Sequence, residues 1–375
     1  METNLEHDGE NTARCSLNLG LQGGGAHGAY SWGVLDALLE DGRFDFDGIS
    51  GTSAGAMNAV VLADGLLKGG REGAREALEN FWRGVSQTVP MNISRPTVDG
   101  ERISLFPSAK IMLNWTQYFS PYQLNPLNFD PLRKLLLETV DFAALRARSP
   151  IRLFLAATNA RTGKLRLFRT PEVTADTVLA SACLPMVHQS VVIDGEPYWD
   201  GGYTANPAVF PLFNECESRD ILLILLAPEE YGDAPRTQKE IRARTLEFAF
   251  NTSLLREMLL FAHMLDYSTT LATEQEKNEV GWRHGRGLLR LLGRTPREME
   301  ALPSLERQML ETRFHLIEAK DLLQQFGSIT KMAADWHFLK KLHGIGYERA
   351  GQWLAEHGEQ VGKATSFDLV ARFGA

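Results

Sequence analysis

The 375-residue chain predicts an α/β fold with a mostly parallel central sheet, and three stretches carry that prediction. Ser16 to Gln22 alternates around Leu17, Leu19 and Leu21 as a strand, then runs into the loop Gly23-Gly24-Gly25-Ala26-His27-Gly28 and an apolar helix. Phe44 to Ile49 extends as a second strand and meets Gly51-Thr52-Ser53-Ala54-Gly55 at the head of another helix. Much later, Asp220 to Leu226 is a continuous apolar run, the pattern of a strand covered on both faces. Strands that alternate with helices in this way need crossover connections, and crossovers make parallel neighbours.

The remaining elements follow from local signals. Residues 1–15 read as a disordered leader, polar and acidic with no apolar core of a signal sequence. The first helix places Ala29, Trp32, Leu35, Leu38 and Leu39 near helical spacing and ends at Asp41-Gly42. Residues 71–84 form another helix. From 86 to 131 six prolines break regular structure, yet the stretch carries Phe106, Met112, Trp115, Tyr118, Phe119, Tyr122 and Phe129. A connection of that length is functional or disordered as a rule, and its aromatics favour a lid or pocket insertion.

Pro131 to Leu145 reads as a helix and Ile151 to Thr158 as a buried strand, with Lys164 to Phe168 as its hairpin partner across Thr162-Gly163. Thr174 caps a helix that runs to Cys183. Val191 to Ile193 and Pro197 to Trp199 flank a second turn at Asp194-Gly195, and Asp200-Gly201-Gly202 follows. Beyond Pro235 the chain is mainly helical: Ile241 to Leu271, then Ala334 to Leu342 and Tyr347 to His357 as separate closing helices, with one strand at Arg313 to Glu318. The expected division is a leader at 1–15, a catalytic domain at 16–230 and a helical C-terminal region at 231–375 packed upon it.

Composition narrows the function classes. With 44% hydrophobic residues the chain can bury a large core, and its net charge of −8 argues against a nucleic-acid partner, which calls for a basic face. Three cysteines form neither a disulfide framework nor a zinc pattern, so no metal is expected. The longest apolar run, Ile221 to Ala227, is far short of the ~20 residues of a membrane span. The expected setting is cytoplasmic. One basic amphipathic patch, with Arg283, Arg286, Arg290, Arg294 and Arg297, suits peripheral contact with anionic lipid, though a solvated helix face is the commoner arrangement.

Gly51-Thr52-Ser53-Ala54-Gly55 fits G-x-S-x-G, a serine on a sharp strand-to-helix turn, with its hydroxyl at the positive end of a helix dipole. The glycine loop has two readings. Gly23, Gly25 and Gly28 fit a dinucleotide fingerprint, with Asp45 and Asp47 about 20 residues on. However, a ribose-binding acid belongs at the end of the second strand, where Gly51 and Ser53 stand. The other reading is an oxyanion hole, because a glycine-rich loop exposes backbone amides beside the serine. A serine nucleophile also needs a base. Asp200-Gly201-Gly202 offers a carboxylate on a tight turn after a strand. His188, His263, His315, His337, His343 and His357 follow Ser53 in order, but none lies in a comparable turn.

These motifs, in this order, resemble the patatin-like phospholipase family, as do Ala180 to Pro185 and Asn206-Pro207. The resemblance spans about residues 16–227. It implies a three-layer α/β/α sandwich and a Ser/Asp dyad that works without histidine. On that basis Ser53 is the nucleophile and Asp200 the general base. The loop Gly23, Gly24, Gly25, Ala26, His27 and Gly28 is the oxyanion hole, with Gly24 and Gly25 as the first candidates for amide donors, and Gly51, Gly55, Gly201 and Gly202 complete the motifs. The implied activity is hydrolysis of a phospholipid or other fatty-acyl ester, without metal or cofactor. The alternative is a lipid-binding or acyl-transferring protein on the same scaffold.

Overall fold

The computed structural model describes residues 14–88, 94–96, 103–105, 119–228, 230–280, 304–319 and 328–374. Its principal strands are β1 (Cys15–Leu21), β2 (Phe44–Gly51), a short pair β3 (Ser94–Pro96) and β4 (Ile103–Leu105), β5 (Arg152–Asn159), β6 (Leu165–Arg169), β7 (Val191–Ile193), β8 (Glu196–Asp200), β9 (Asp220–Leu225) and β10 (Arg313–Glu318). The helices are α1 (Gly28–Asp41), α2 (Ala54–Thr88), α3 (Pro121–Leu124), α4 (Pro131–Thr139), α5 (Phe142–Arg148), α6 (Ala175–Ser181), α7 (Phe210–Glu215), α8 (Gln238–Val280), α9 (Ser304–Glu311), α10 (Trp336–His357) and α11 (Leu369–Phe373).

The main sheet runs β10-β9-β1-β2-β5-β8-β7, with β6 also on β5. From β10 to β5 every pairing is parallel, while β6, β8 and β7 join antiparallel. Alternate side chains of β9 enter opposite cores. Leu222 and Ile224 pack with Leu17, Leu19 and Leu21 against α1, α2 and α10; Ile221, Leu223 and Leu225 pack with Leu212, Met258, Phe261 and Met309. Helices therefore cover both faces, which makes the expected three layers and explains why β9 is apolar without alternation. The C-terminal third supplies β10 to the sheet and helices to both outer layers.

One register brings the site together. β5 pairs with β2 through Arg152 to Leu155, and with β8 through Ala157 to Asn159. β6 occupies the other edge of β5 from Phe154 to Thr158. Thus β2 and β8 share one edge of β5, end to end. Gly51 faces Leu155 and Asp200 faces Ala157, so the serine turn and the aspartate turn leave the sheet side by side.

Several elements differ from the sequence expectation. Pro131 to Leu145 is two helices, because the chain leaves helical geometry at Val140 and Asp141 starts a new one, its carboxylate accepting the amides of Ala143 and Ala144. The predicted separate closing helices are one, α10, which continues through Gly344 and Gly346. Gly346 is not a break there: any Cβ would collide with the Tyr30 carbonyl, so the glycine lets α10 lie directly on α1. The helix predicted after Ser53 and the one predicted at 71–84 are joined as α2 across a kink at Gly69-Gly70.

The leader up to residue 13, the patch 283–297 and most of the 86–131 insertion lie outside the described residues. At the described end of that insertion Phe119, Tyr122 and Phe129 are exposed. No described helix is long and apolar enough to cross a membrane.

Candidate active site

Ser53 lies between β2 and α2 with φ at +55°, the left-handed region in which non-glycine residues are uncommon. Its neighbours hold it there. The Ser53 amide donates to Ser181 Oγ at 2.9 Å, and its carbonyl accepts the Met57 amide at 3.1 Å. Thr52 anchors the turn beneath, donating from Oγ1 to the Ala205 carbonyl at 2.8 Å. Gly51 ends β2, and Gly55 sits in the first turn of α2 where a side chain would strike the Leu21 carbonyl. The serine hydroxyl stands at the N-terminus of α2, where a developing negative charge is favoured.

Asp200 ends β8 and is 1% exposed. Its amide donates to the Cys183 carbonyl at 2.8 Å, and its carbonyl accepts Thr158 Oγ1 at 2.8 Å. The carboxylate accepts the Gly202 amide at 2.8 Å and lies close enough to the Ser53 side chain for the hydroxyl to favour its charged form. Burial is the dominant influence on it and pushes its pKa up to about 7, against the smaller opposing effect of the Gly202 amide and the Ser53 hydroxyl.

The glycine loop faces the same point, since Gly23 lies against Ser53 and Thr52. Its amides are not equivalent. The Gly23 amide donates to Asn206 Oδ1 at 2.7 Å, the His27 amide to the Gly24 carbonyl at 3.2 Å, and the Gly28 amide back to Gly25 and Ala26. Among the described residues, no acceptor meets the amides of Gly24, Gly25 or Ala26. Gly25 has φ at +59°, and a Cβ there would collide with the Lys331 carbonyl, so both conformation and space require glycine.

The His27 imidazole is turned to the C-terminal segment, with Nε2 2.8 Å from Thr330 Oγ1. Burial, with the nearby Lys331 charge, drives its pKa down to about 3, so it is neutral at physiological pH. Other histidines are engaged elsewhere: His315 bonds Asp220 and His343 bonds Asp36. Asp45 and Asp47, which the dinucleotide reading would need at the end of β2, sit toward its start, paired with Arg71 and Arg152. No cluster of three or more His, Cys, Asp or Glu among the described residues is arranged to hold a metal ion.

The structure thus gathers Ser53, Asp200 and the Gly23–Gly25 backbone, and sets the His27 side chain apart. It adds residues to which sequence reasoning gave no role: Ser181, Asn206, Thr330 and the α8 residue Phe250, whose ring covers Gly202. Ser181 and Asn206 belong to the stretches that resemble the family. Thr330 and Phe250 carry no local signal, because only packing brings them near.

No curated protein matches the chain significantly. Among solved structures, VipD from Legionella pneumophila is 18% identical with a TM-score of 0.43, over 91% of this chain and 67% of VipD. A chain of the complex of full-length SpcU with full-length ExoU, from the type III secretion system of Pseudomonas aeruginosa, is 16% identical with a TM-score of 0.27. That match covers 72% of this chain and spans 60% of the other. The model of the patatin-like phospholipase family matches residues 19–213, just over half of the chain and a range that contains Ser53 and Asp200. The chain belongs to the patatin-like phospholipase family.

Proposed function

We propose that the protein is a serine lipid acyl hydrolase of the phospholipase A or lysophospholipase type, with Ser53 as nucleophile and Asp200 as general base. The observation that carries this reading is the approach of the Ser53 side chain to a buried carboxylate, beside backbone amides without acceptors among the described residues. A carboxylate of pKa about 7 is a better proton acceptor than an ordinary aspartate, yet far too weak to ionise a serine outright. Proton transfer to Asp200 accompanies attack on the acyl carbonyl. The amides of Gly24 and Gly25 receive the oxyanion, and the N-terminus of α2 adds a favourable field. Asp200 then returns the proton to the departing alcohol, and a water that it deprotonates clears the acyl-enzyme.

Exposed apolar side chains on two linked loops suit an acyl lipid, and we take these loops as the rim of the site. Leu127 is 90% exposed and Phe129 74%, and Met186 and Val187 are exposed on the neighbouring loop. The two loops are tied together by Tyr122 to Ser190 at 2.9 Å and by Gln189 Nε2 to the Asn125 carbonyl at 2.7 Å. We read this rim as the wall that meets acyl chains and touches the lipid surface peripherally. The experiment is a panel of phospholipid, lysophospholipid and neutral esters with wild type, Ser53→Ala and Asp200→Asn, together with fluorophosphonate labelling. Ser53-dependent fatty-acid release is expected. Labelling of Ser53 without net hydrolysis would point instead to acyl transfer, a reading favoured by the dry surroundings of Asp200, and release that survives Ser53→Ala would reject both.

A further inference from the structure

The stretch that matches the family ends at residue 213, yet two residues of α8 touch both halves of the site. The Asn251 side chain is 7% exposed and accepts Gln22 Nε2 at 3.2 Å, immediately before the glycine loop. Its own Nδ2 donates to the Tyr231 hydroxyl at 3.3 Å. Gln22 Oε1 in turn accepts the amides of Leu226 at 2.6 Å and Ala227 at 2.8 Å, where the chain leaves β9. Asn206 closes the circuit: its Oδ1 holds the Gly23 amide and its Nδ2 donates to the Phe250 carbonyl at 3.0 Å. Residues 22–23 are thus stitched to residues 250–251 by three amide side chains, those of Gln22, Asn206 and Asn251.

The Phe250 side chain works on the other half. Its ring lies so close over Gly202 that a Cβ there would have no room, and it packs on Tyr203 with ring centroids 4.6 Å apart. Gly202 is the residue whose amide bonds the Asp200 carboxylate. An aromatic ring pressed on this turn keeps water from the carboxylate, and exclusion of water is the physical cause of a raised carboxyl pKa.

We propose that Phe250 and Asn251 of α8 are positioning residues of the active site, Asn251 holding the entry to the glycine loop and Phe250 sealing the Asp200 turn. This rests on the reading of Ser53 and Asp200 as nucleophile and base. The groups facing Asp200 are the Ser53 hydroxyl, the Cys183 thiol and the Tyr203 hydroxyl. Burial holds the thiol up at about 12 and the phenol above its ordinary value, so both stay neutral through the assay range. No charged side chain stands among the causes of the Asp200 shift, which leaves solvent access as the quantity that Phe250 controls.

The test uses the full chain and a water-soluble neutral ester such as p-nitrophenyl butyrate, with kcat and KM measured from pH 5 to pH 9. Phe250→Ala should admit water, lower kcat about 10-fold with KM within about 2-fold, and move the acid limb of the kcat profile about one unit lower. Phe250→Leu, which restores bulk, should recover most of both. Should the alanine variant not fold, Phe250→Val carries the same test with a smaller displacement. Asn251→Leu should lower kcat about 10-fold and leave the acid limb in place, because it acts on the loop rather than on the base. Leu260→Ser, on the exposed face of the same helix, is the control and should match wild type. An unmoved acid limb in folded Phe250→Ala or Phe250→Val, or a leucine variant as impaired as alanine, overturns the inference while leaving the dyad intact. Wild-type turnover that is indifferent to Ser53→Ala overturns the dyad, and the inference with it.

Discussion

Asn206 Oδ1 takes the Gly23 amide at 2.7 Å, across 183 positions of sequence. The bond occupies the first amide of the glycine loop, while those of Gly24, Gly25 and Ala26 meet no acceptor among the described residues. The turn after Asp200 thus reaches across to hold the loop that lies against Ser53.

Removal of either dyad member should abolish turnover without unfolding the chain. Ser53→Ala and Asp200→Asn are each expected to lower kcat by at least about 1,000-fold. Circular dichroism should be unchanged, since the carboxamide oxygen that Asp200→Asn leaves in place of the carboxylate can still accept the Gly202 amide. Fluorophosphonate labelling should vanish for Ser53→Ala and slow for Asp200→Asn.

The raised pKa of Asp200 has two consequences of known sign. The carboxylate must be ionised to accept the serine proton, so kcat should rise with pH along a single-proton limb centred near the value of about 7. Stability should run the other way. Between the ordinary carboxyl value of 3.8 and about 7 the folded state retains a proton that the unfolded chain releases. Wild-type stability therefore falls as pH rises through that window, by an amount on the order of 4 kcal/mol for a shift of this size. Asp200→Asn lacks this term. Its melting temperature should exceed that of wild type by a margin that grows between pH 4 and pH 7 and then levels off; a constant margin would contradict the burial argument.

Gly25→Ala should disable the loop. The substitution meets a positive φ and the Lys331 carbonyl together, so the loop must shift and carry its neighbouring amides with it. Loss of one oxyanion donor typically costs about 100- to 1,000-fold in kcat. That loss is expected here with KM little changed, measured on the same neutral ester; an alanine variant with wild-type kcat would place the oxyanion elsewhere.

Two glycines of one helix should respond in opposite directions. Gly346→Ala drives a methyl group into the Tyr30 carbonyl and should destabilise by about 1–3 kcal/mol through overpacking of α10 on α1. Gly344→Ala meets open space and should stabilise by up to about 1 kcal/mol, the difference in helix propensity. Urea midpoints of the two variants, compared with wild type, check both.

Much of the architecture was legible because its signals are local. The alternation of Leu17, Leu19 and Leu21, the apolar run of β9 and the glycine-flanked Ser53 each report their own element within a few residues. The failures were local too. The break at Val140-Asp141 was missed, since the apolar spacing continues across it while the Asp141 cap ends one helix and begins another. Gly344 and Gly346 read as a helix end because glycine weakens an isolated helix; packing against Tyr30 reverses that preference.

By itself the sequence determined which residues can do chemistry: a serine free to stand on a tight turn, an aspartate at a strand end and a run of glycines whose amides no side chain shields. Only the tertiary structure decided which of these act together and under what electrostatics. The shared edge of β5 sets Asp200 beside the Ser53 turn. Asn206 and its neighbours decide which amides remain free, and burial sets the charge of Asp200. Hydrogen-bond partners and solvent access belong to the packed chain. They depend on residues far apart in sequence, and no stretch of letters encodes them alone.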